Sequence, residues 1–406
     1  MSDFIKTQDG DGIATITWDC ANRPMNVMSE QGFLDLNELV ENCISDQSVT
    51  GVIITSAKKD FAAGMDLGVI AKTKEKNPDN PAQGCFEMVM HIHKILRKIE
   101  LAGMDLKSKK GGKPFVAVLP GTALGIGFEI PLACHHIIAA DNPKAKIGLP
   151  EIKVGIFPGA GGTTRLVRKM GAMAASPFLL EGKLSDPKAA LTAGLIDAVS
   201  EHPIKDAKKW ILEAKDTDLI KVWDSKGYRM PGGTPYHPGG FMTFVGASAM
   251  VNGNTFGVYP AAKALLSAAY EGALVPFDTA LKIEARYFTS VLVNPSSSNM
   301  IRSLFLNKGA LEKGAVRPDG VSDQSVKKVG IMGAGMMGAG IALVTAQAGI
   351  DVVMIDQVQE NADKGKAYIA SYCDKGIKRK KTTLEQKEAM LGRVNATTNY
   401  ADLADC

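Results

Sequence analysis

The sequence is short of the features that would assign it to a specialised class. Its six cysteines (Cys20, Cys43, Cys85, Cys134, Cys373 and Cys406) are scattered and form no CxxC pair. That argues against a disulfide framework and for a reducing, cytosolic compartment. No uncharged apolar run reaches the roughly 18 residues that a membrane span needs, and the polar stretch from 1 to 12 has no apolar segment of the kind a secretory signal carries. An excess of one charge is also missing. The 47 basic residues face 43 acidic ones, leaving a formal charge of +4, too small and too evenly spread to imply a nucleic-acid partner. Histidine is scarce, and its clusters, His91-x-His93 and His135-His136, place neighbours on different faces of a helix, so no metal is expected. There is no internal repeat and no low-complexity tract.

What is present is an ordinary globular composition, 45% hydrophobic and 22% charged over 406 residues, long enough for two or three domains. Ile13 to Trp18 alternates as a strand does, the turn Asn22 to Asn26 ends it, and a helix follows from about Ser29 to Ser45 with Phe33, Leu36, Leu39, Val40 and Cys43 on one stripe. The apolar runs Gly51–Thr55, Phe115–Leu119 and Ile137–Ala140 read as buried strands. Strands alternating with helices predict an α/β layer architecture. From about Pro203 to Asp323 the texture changes: a Gly- and Pro-rich irregular connection around 232–240 precedes helical patterns at Ala261–Glu271 and Phe277–Val291. Two basic clusters, Lys107 to Lys113 and Lys378 to Lys381, suit solvated surfaces, or one of them meets the phosphates of a coenzyme.

Two glycine turns in the first half follow core strands. Phe61-Ala-Ala-Gly64-Met65-Asp66 offers a tight turn at Gly64, with Asp66 as N-cap of the next helix. Gly121 to Glu129 contains Gly125-Ile126-Gly127, where a free amide at a helix start carries the positive end of the dipole. Two such amides converging on one oxygen make an oxyanion hole. Glu129 and Glu151 sit beside these turns, and Phe157-Pro-Gly-Ala-Gly-Gly-Thr163 comes next. A glutamate in a first helical turn needs no function, since the dipole favours it, but two carboxylates in different environments can divide acid and base roles.

These residues together, from about 10 to 200, resemble the crotonase superfamily, in particular its enoyl-CoA hydratase branch. The resemblance implies a ClpP/crotonase-like fold and a coenzyme A thioester as substrate. It also implies that the backbone amides of Met65 and Ile126 hold the thioester oxygen, with Glu129 activating a water and Glu151 protonating the α-carbon. Ile126 departs from the glycine usual in the family, and a β-branched residue there would resist a positive φ and crowd the thioester. Pro131, early in the same helix, predicts a bend.

Near the end, the strand from Val326 to Met332 runs into Gly333-Ala-Gly335-Met336-Met337-Gly338, an apolar helix and a second strand that ends at Asp356. This is the strand–glycine turn–helix setting of a dinucleotide fingerprint. Gly333 permits the turn, Gly335 the approach of the diphosphate to the helix start at Met336 and Met337, and Gly338 the packing of helix on strand. Asp356 would accept from ribose hydroxyls, which favours NAD over NADP. The segment resembles the 3-hydroxyacyl-CoA dehydrogenase family. The order of the two parts resembles the multifunctional enzymes of fatty-acid oxidation, the family of the bacterial complex's alpha subunits. We therefore expect a crotonase-like domain over 1–200, a helical linker over 201–324 and the start of a Rossmann NAD-binding domain over 325–406. The resemblance further implies a multifunctional β-oxidation enzyme: hydration of trans-2-enoyl-CoA here, and NAD-dependent oxidation of the product in the intact protein. Acyl-CoA substrates and a thiolase beta subunit are the partners it implies. No counterpart of the dehydrogenase's catalytic histidine and glutamate is found before Cys406, so the chain reads as truncated. A double-bond isomerase, or an acyl-CoA-binding module without catalysis, is the alternative.

Overall fold

The period-two segments form the sheet. In the computed structural model, which describes residues 2–66, 68–69, 77–322, 325–379 and 381–406, β1 (Phe4–Gln8) runs antiparallel to β2 (Ile13–Trp18), which pairs in parallel with β3 (Gly51–Ser56). With β4 (Phe115–Leu119), β6 (His136–Ala140) and β8 (Ala198–Ser200) they make a six-stranded sheet in the order β1-β2-β3-β4-β6-β8. The short strands β5 (Ala123–Leu124) and β7 (Ile147–Gly148) pair separately beside it. A parallel sheet is buried on both faces, which is why β3 and β4 read as continuous apolar runs. On one face Val52, Ile54, Ala117 and Ile137 join the main core, and on the other Ile53, Val116, Val118 and Ile138 pack on Ala207 and Ile211 of the helix Pro203–Glu213.

Helix α1 (Glu30–Ser45) is capped by the Ser29 side chain, which accepts from the Gly32 amide, and buries Phe33, Leu36, Val40 and Cys43. Such buried side chains contribute about 1.5–3 kcal/mol each. Helix α2 (Pro81–Leu101) is not among the elements expected from the sequence. It buries Val89, Ile92, His93, Leu96 and Ile99 at helical spacing and ends at Ala102 in the left-handed region. Helices α3 (Ile126–Ala133) and α4 (Gly162–Met170) follow the glycine-rich stretches. Pro131 lies inside α3, and the helix stops two residues later at a turn in which the Cys134 amide donates to the Pro131 carbonyl.

The stretch that reads as irregular around 232–240 leads into a further helix, α5 (Pro238–Thr255). Proline is tolerated at its first turn, and His237 supplies the cap by accepting from the Gly239 amide. Next come α6 (Pro260–Gly272) and α7 (Phe277–Leu292), which pair with one another and with α2 and α4. The chain divides into two compact units, Met1–Glu312 and Lys313–Cys406. The second is a three-stranded parallel sheet, ordered β11 (Val394–Thr397), β10 (Asp351–Ile355), β9 (Lys328–Met332), with its own core around Ile331, Val352, Met354 and Ile369. Among the described residues no helix is long and apolar enough to cross a membrane.

Candidate active site

Loops at the carboxyl ends of parallel strands are where α/β sheets gather their functional groups, and both glycine turns leave the sheet there. The turn after β3 is braced by Asn26, a fully buried side chain whose Oδ1 accepts from the Cys20 amide and whose Nδ2 donates to the carbonyls of Trp18 and Phe61. Its own carbonyl accepts from the Ala63 amide. Asp66 Oδ1 accepts from the Gly68 amide, and the helix that Asp66 is expected to cap runs into residues 67 and 70–76, which lie outside the described residues.

The turn after β4 is tied to the first, because the Leu124 amide donates to the Ala62 carbonyl. Gly125 takes φ 57°, ψ −129° and Ile126 begins the helix. The positive φ therefore falls on the glycine, and Ile126 is spared the strain its β-branch would have brought. A Cβ on Gly125 would stand 3.6 Å from the Gly64 Cα and 3.1 Å from Glu151 Oε1, so the two turns and one carboxylate abut. Among the described residues no hydrogen-bond acceptor is seen for the amides of Met65 or Ile126.

The two glutamates meet at this point. Glu129, in the first turn of α3, is buried and its Oε1 accepts from the amides of Ala160 (2.9 Å) and Gly162 (2.8 Å). Glu151 begins a short 3₁₀ turn, and its Oε2 is buried with no hydrogen-bond partner among the described residues. Burial pushes the Glu129 carboxyl well above the ordinary carboxylate range, and the charges of Glu151 and Glu284 add to it. Burial pushes Glu151 up to about 8. Two buried carboxylates that line one cavity and feel each other's charge resist double ionisation. The amides of Ala160 and Gly162 favour the charged form of Glu129, while Glu151 Oε2 has no such donor among the described residues.

Both glutamates, Met65 and Ile126 line one cavity of about 460 Å³. Its walls are apolar, with Met88, Ile92, Phe157, Phe288 and Phe305 among them, and its exposed cations are Arg23, paired with Asp66 at 2.8 Å, and Lys153. The basic run from 107 to 113 does not contribute to the lining. Lys113 donates instead to the carbonyls of Cys43 and Asp46 at the end of α1. Lys380, in the second basic run, lies outside the described residues. Arg23 and Lys153 carry no sequence signal of their own, although Arg23 lies in the turn from Asn22 to Asn26.

In the second unit, Gly333 takes φ +100° and its amide donates to the Ile355 carbonyl, while Asp356 Oδ2 accepts from the Ala334 amide at 2.8 Å. That amide, with the Gln357 amide and the Asn361 side chain, holds the Asp356 carboxyl below its ordinary range. Helix α8 (Met336–Gln347) starts at Gly335. A Cβ on Gly338 would sit 1.8 Å from the Gly333 carbonyl oxygen, so only glycine lets the helix pack so close, whereas Gly333 and Gly335 face open space. Met336 and Met337 are exposed beside it. An open cradle of amides at a helix start, with a carboxylate at the end of the next strand, fits a dinucleotide.

Comparison with known proteins finds matches for both parts of the chain. Residues 8–212 match the family described as enoyl-CoA hydratase/isomerase, and residues 328–406 match the NAD binding domain of 3-hydroxyacyl-CoA dehydrogenase. The fatty acid oxidation complex subunit alpha of Shewanella baltica strain OS155 is 31% identical over 405 residues, 99% of this chain and 55% of its own. Its counterpart from Shewanella putrefaciens strain CN-32 is 30% identical over the same length. The chain thus spans about half the length of the curated relatives it matches, 55%. Among solved structures, an enoyl-CoA hydratase/isomerase from Xanthobacter autotrophicus Py2 has a TM-score of 0.51 at 19% identity, covering 78% of this chain and 99% of that one. Human mitochondrial delta3-delta2-enoyl-CoA isomerase also has 0.51, at 20% identity, covering 77% of this chain and all of its own. These two likenesses concern the fold. With the crotonase fold, the paired glycine turns and a family match over half its length, the chain belongs to the enoyl-CoA hydratase/isomerase family.

Proposed function

We propose that the first unit adds water to trans-2-enoyl-CoA, giving 3-hydroxyacyl-CoA, as a step of fatty-acid β-oxidation. The observation that carries this is the pair Glu129 and Glu151 facing one cavity beside two glycine turns. The thioester oxygen accepts from the amides of Met65 and Ile126, which stabilise the enolate as its charge develops. Glu129 takes a proton from a water whose oxygen bonds to the β-carbon, and Glu151 gives its own proton to the α-carbon. The apolar walls receive the acyl chain, and Arg23 and Lys153 face the phosphates of the coenzyme.

The second unit binds NAD, with the diphosphate at the start of α8 near Gly333, Gly335, Met336, Met337 and Gly338, and the ribose at Asp356. NAD supplies a hydride acceptor for oxidation of the hydroxyacyl product in the whole protein. A thiolase beta subunit as partner, a cytoplasmic setting for the six free cysteines and a linker role for 201–324 complete the proposal. The carboxylate pair supports hydration over isomerisation alone, since two carboxylates can divide the activation of a water from the protonation of the α-carbon.

The test is crotonyl-CoA mixed with the purified chain and followed in the ultraviolet. Loss of the conjugated enoyl absorbance is expected. Tight binding of the thioester with no loss of absorbance would favour the non-catalytic reading instead.

A further inference from the structure

The glycine-rich loop that holds Glu129 is gripped from its other side by groups that the hydration chemistry leaves unused. Glu284, on α7, is fully buried. Its Oε1 accepts from the Gly161 amide at 2.6 Å, and its Oε2 accepts from the Thr164 amide at 2.7 Å and the Thr164 hydroxyl at 2.6 Å. His93, on α2, bonds through Nε2 to the Gly159 carbonyl at 2.7 Å and stands 3.7 Å from Glu284 Oε1. Burial holds its imidazole neutral, down at about 3, so Nε2 carries the hydrogen and donates. Arg165 Nη1 donates to the Ala160 carbonyl at 3.0 Å. The amides at the start of α4 are therefore divided: Ala160 and Gly162 serve Glu129, and Gly161 and Thr164 serve Glu284. Burying a second carboxylate behind the first is costly, and an apolar residue would fill the same space without that cost.

We infer that Glu284 is a positioning residue for Glu129: by clamping Gly161 and Thr164 it aims the amides of Ala160 and Gly162, and so sets the orientation of the carboxylate in the cavity. The inference rests on the hydration reading above. Glu284 also faces His93 from α2, Arg165 from α4 and, through Arg165, Glu100, with Glu129 and Glu151 on the cavity side. Its charge thus opposes ionisation of both cavity glutamates.

The test compares wild-type chain with Glu284→Gln on a trans-2-enoyl-CoA. Glutamine keeps the shape, removes the charge and sets an NH₂ against an amide that now donates. We expect kcat to fall about tenfold to a hundredfold, the size of a small misplacement, with KM little changed. Burial pushes Glu284 itself up to about 7, so its charge is present on the alkaline side, and the alkaline limb of the pH profile should move to lower pH when one negative charge fewer faces Glu151. A residue that only supports the fold would lower the yield of active protein and leave that limb in place. Thr164→Val removes one donor to Glu284 without touching Glu129, and should show a smaller loss of kcat that Thr164→Ser restores. Wild-type turnover with an unchanged Glu284→Gln overturns this role alone. Should that variant not fold, Thr164→Val equal to wild type overturns it. Absence of turnover in the wild-type chain overturns the hydration reading, and this role with it.

Discussion

Glu151 owes its hold on a proton to what surrounds it rather than to what it bonds. Among the described residues its buried Oε2 has no partner to lose, so Glu151→Gln should leave the circular dichroism and melting temperature of the first unit nearly unchanged while hydration falls about 10²–10⁴-fold, the usual worth of a positioned acid or base. Undiminished turnover in this variant would end the assignment. The same environment fixes the pH response. Hydration needs the proton on Glu151 and the charge on Glu129. The rate should therefore decline as pH rises through about 8, where Glu151 gives up its proton. It should also fall on the acid side, at a pH above the ordinary carboxylate range, where burial makes Glu129 take one up. A pH profile of kcat/KM that stays flat across neutrality would contradict the pairing.

At the scale of elements, the junction into α4 is built from glycines that stand against functional side chains. A Cβ on Gly162 would lie 2.7 Å from Glu129 Oε1, and Gly162 sits in the ordinary helical region. Gly162→Ala should therefore act on Glu129: a loss of kcat of about a hundredfold with a modest change in melting temperature. Gly161 has φ +96°, and a Cβ there would meet Arg165 Nη1 at 1.8 Å. Gly161→Ala should consequently cost stability, about 1–3 kcal/mol for the backbone alone, measurable by urea denaturation. Equal effects of the two substitutions on stability and rate would show that this division between site and scaffold is wrong.

For the whole molecule, the two units carry separate hydrophobic cores, so a ligand of one should report on that one. NAD at about a hundred times its dissociation constant adds about 2.7 kcal/mol to whatever it binds. In calorimetry it should raise the transition of the second unit and leave crotonyl-CoA hydration unaltered. Asp356→Ala should weaken that stabilisation, since Asp356 both braces the Ala334 amide and is proposed to accept from the ribose. An NAD-dependent shift of the same size in the variant would remove Asp356 from the site.

Local pattern made much of this protein legible from its residues alone. Alternation from Ile13 to Trp18 and the apolar runs at 51–55 and 115–119 specified strands because burial on one or both faces has a sequence period. Glu129 and Glu151 stood out because they lie close in sequence to the glycine-rich stretches that position them, and the fingerprint from Gly333 to Asp356 is itself a local unit. Helix α5 was hidden because Pro238, Gly239 and Gly240 read as breakers until His237 caps them. Glu284 and His93 were hidden for a deeper reason. Glu284 meets the Gly161 amide across 123 residues of chain, and His93 meets Gly159 across 66. No spacing encodes such partners. In the sequence, His93 is half of an unremarkable histidine pair and Glu284 one more acid on a helix. Only the packing of α7 and α2 against α4 buries them beside the loop, and burial away from water is what turns an ordinary carboxylate or imidazole into a group whose every hydrogen bond matters.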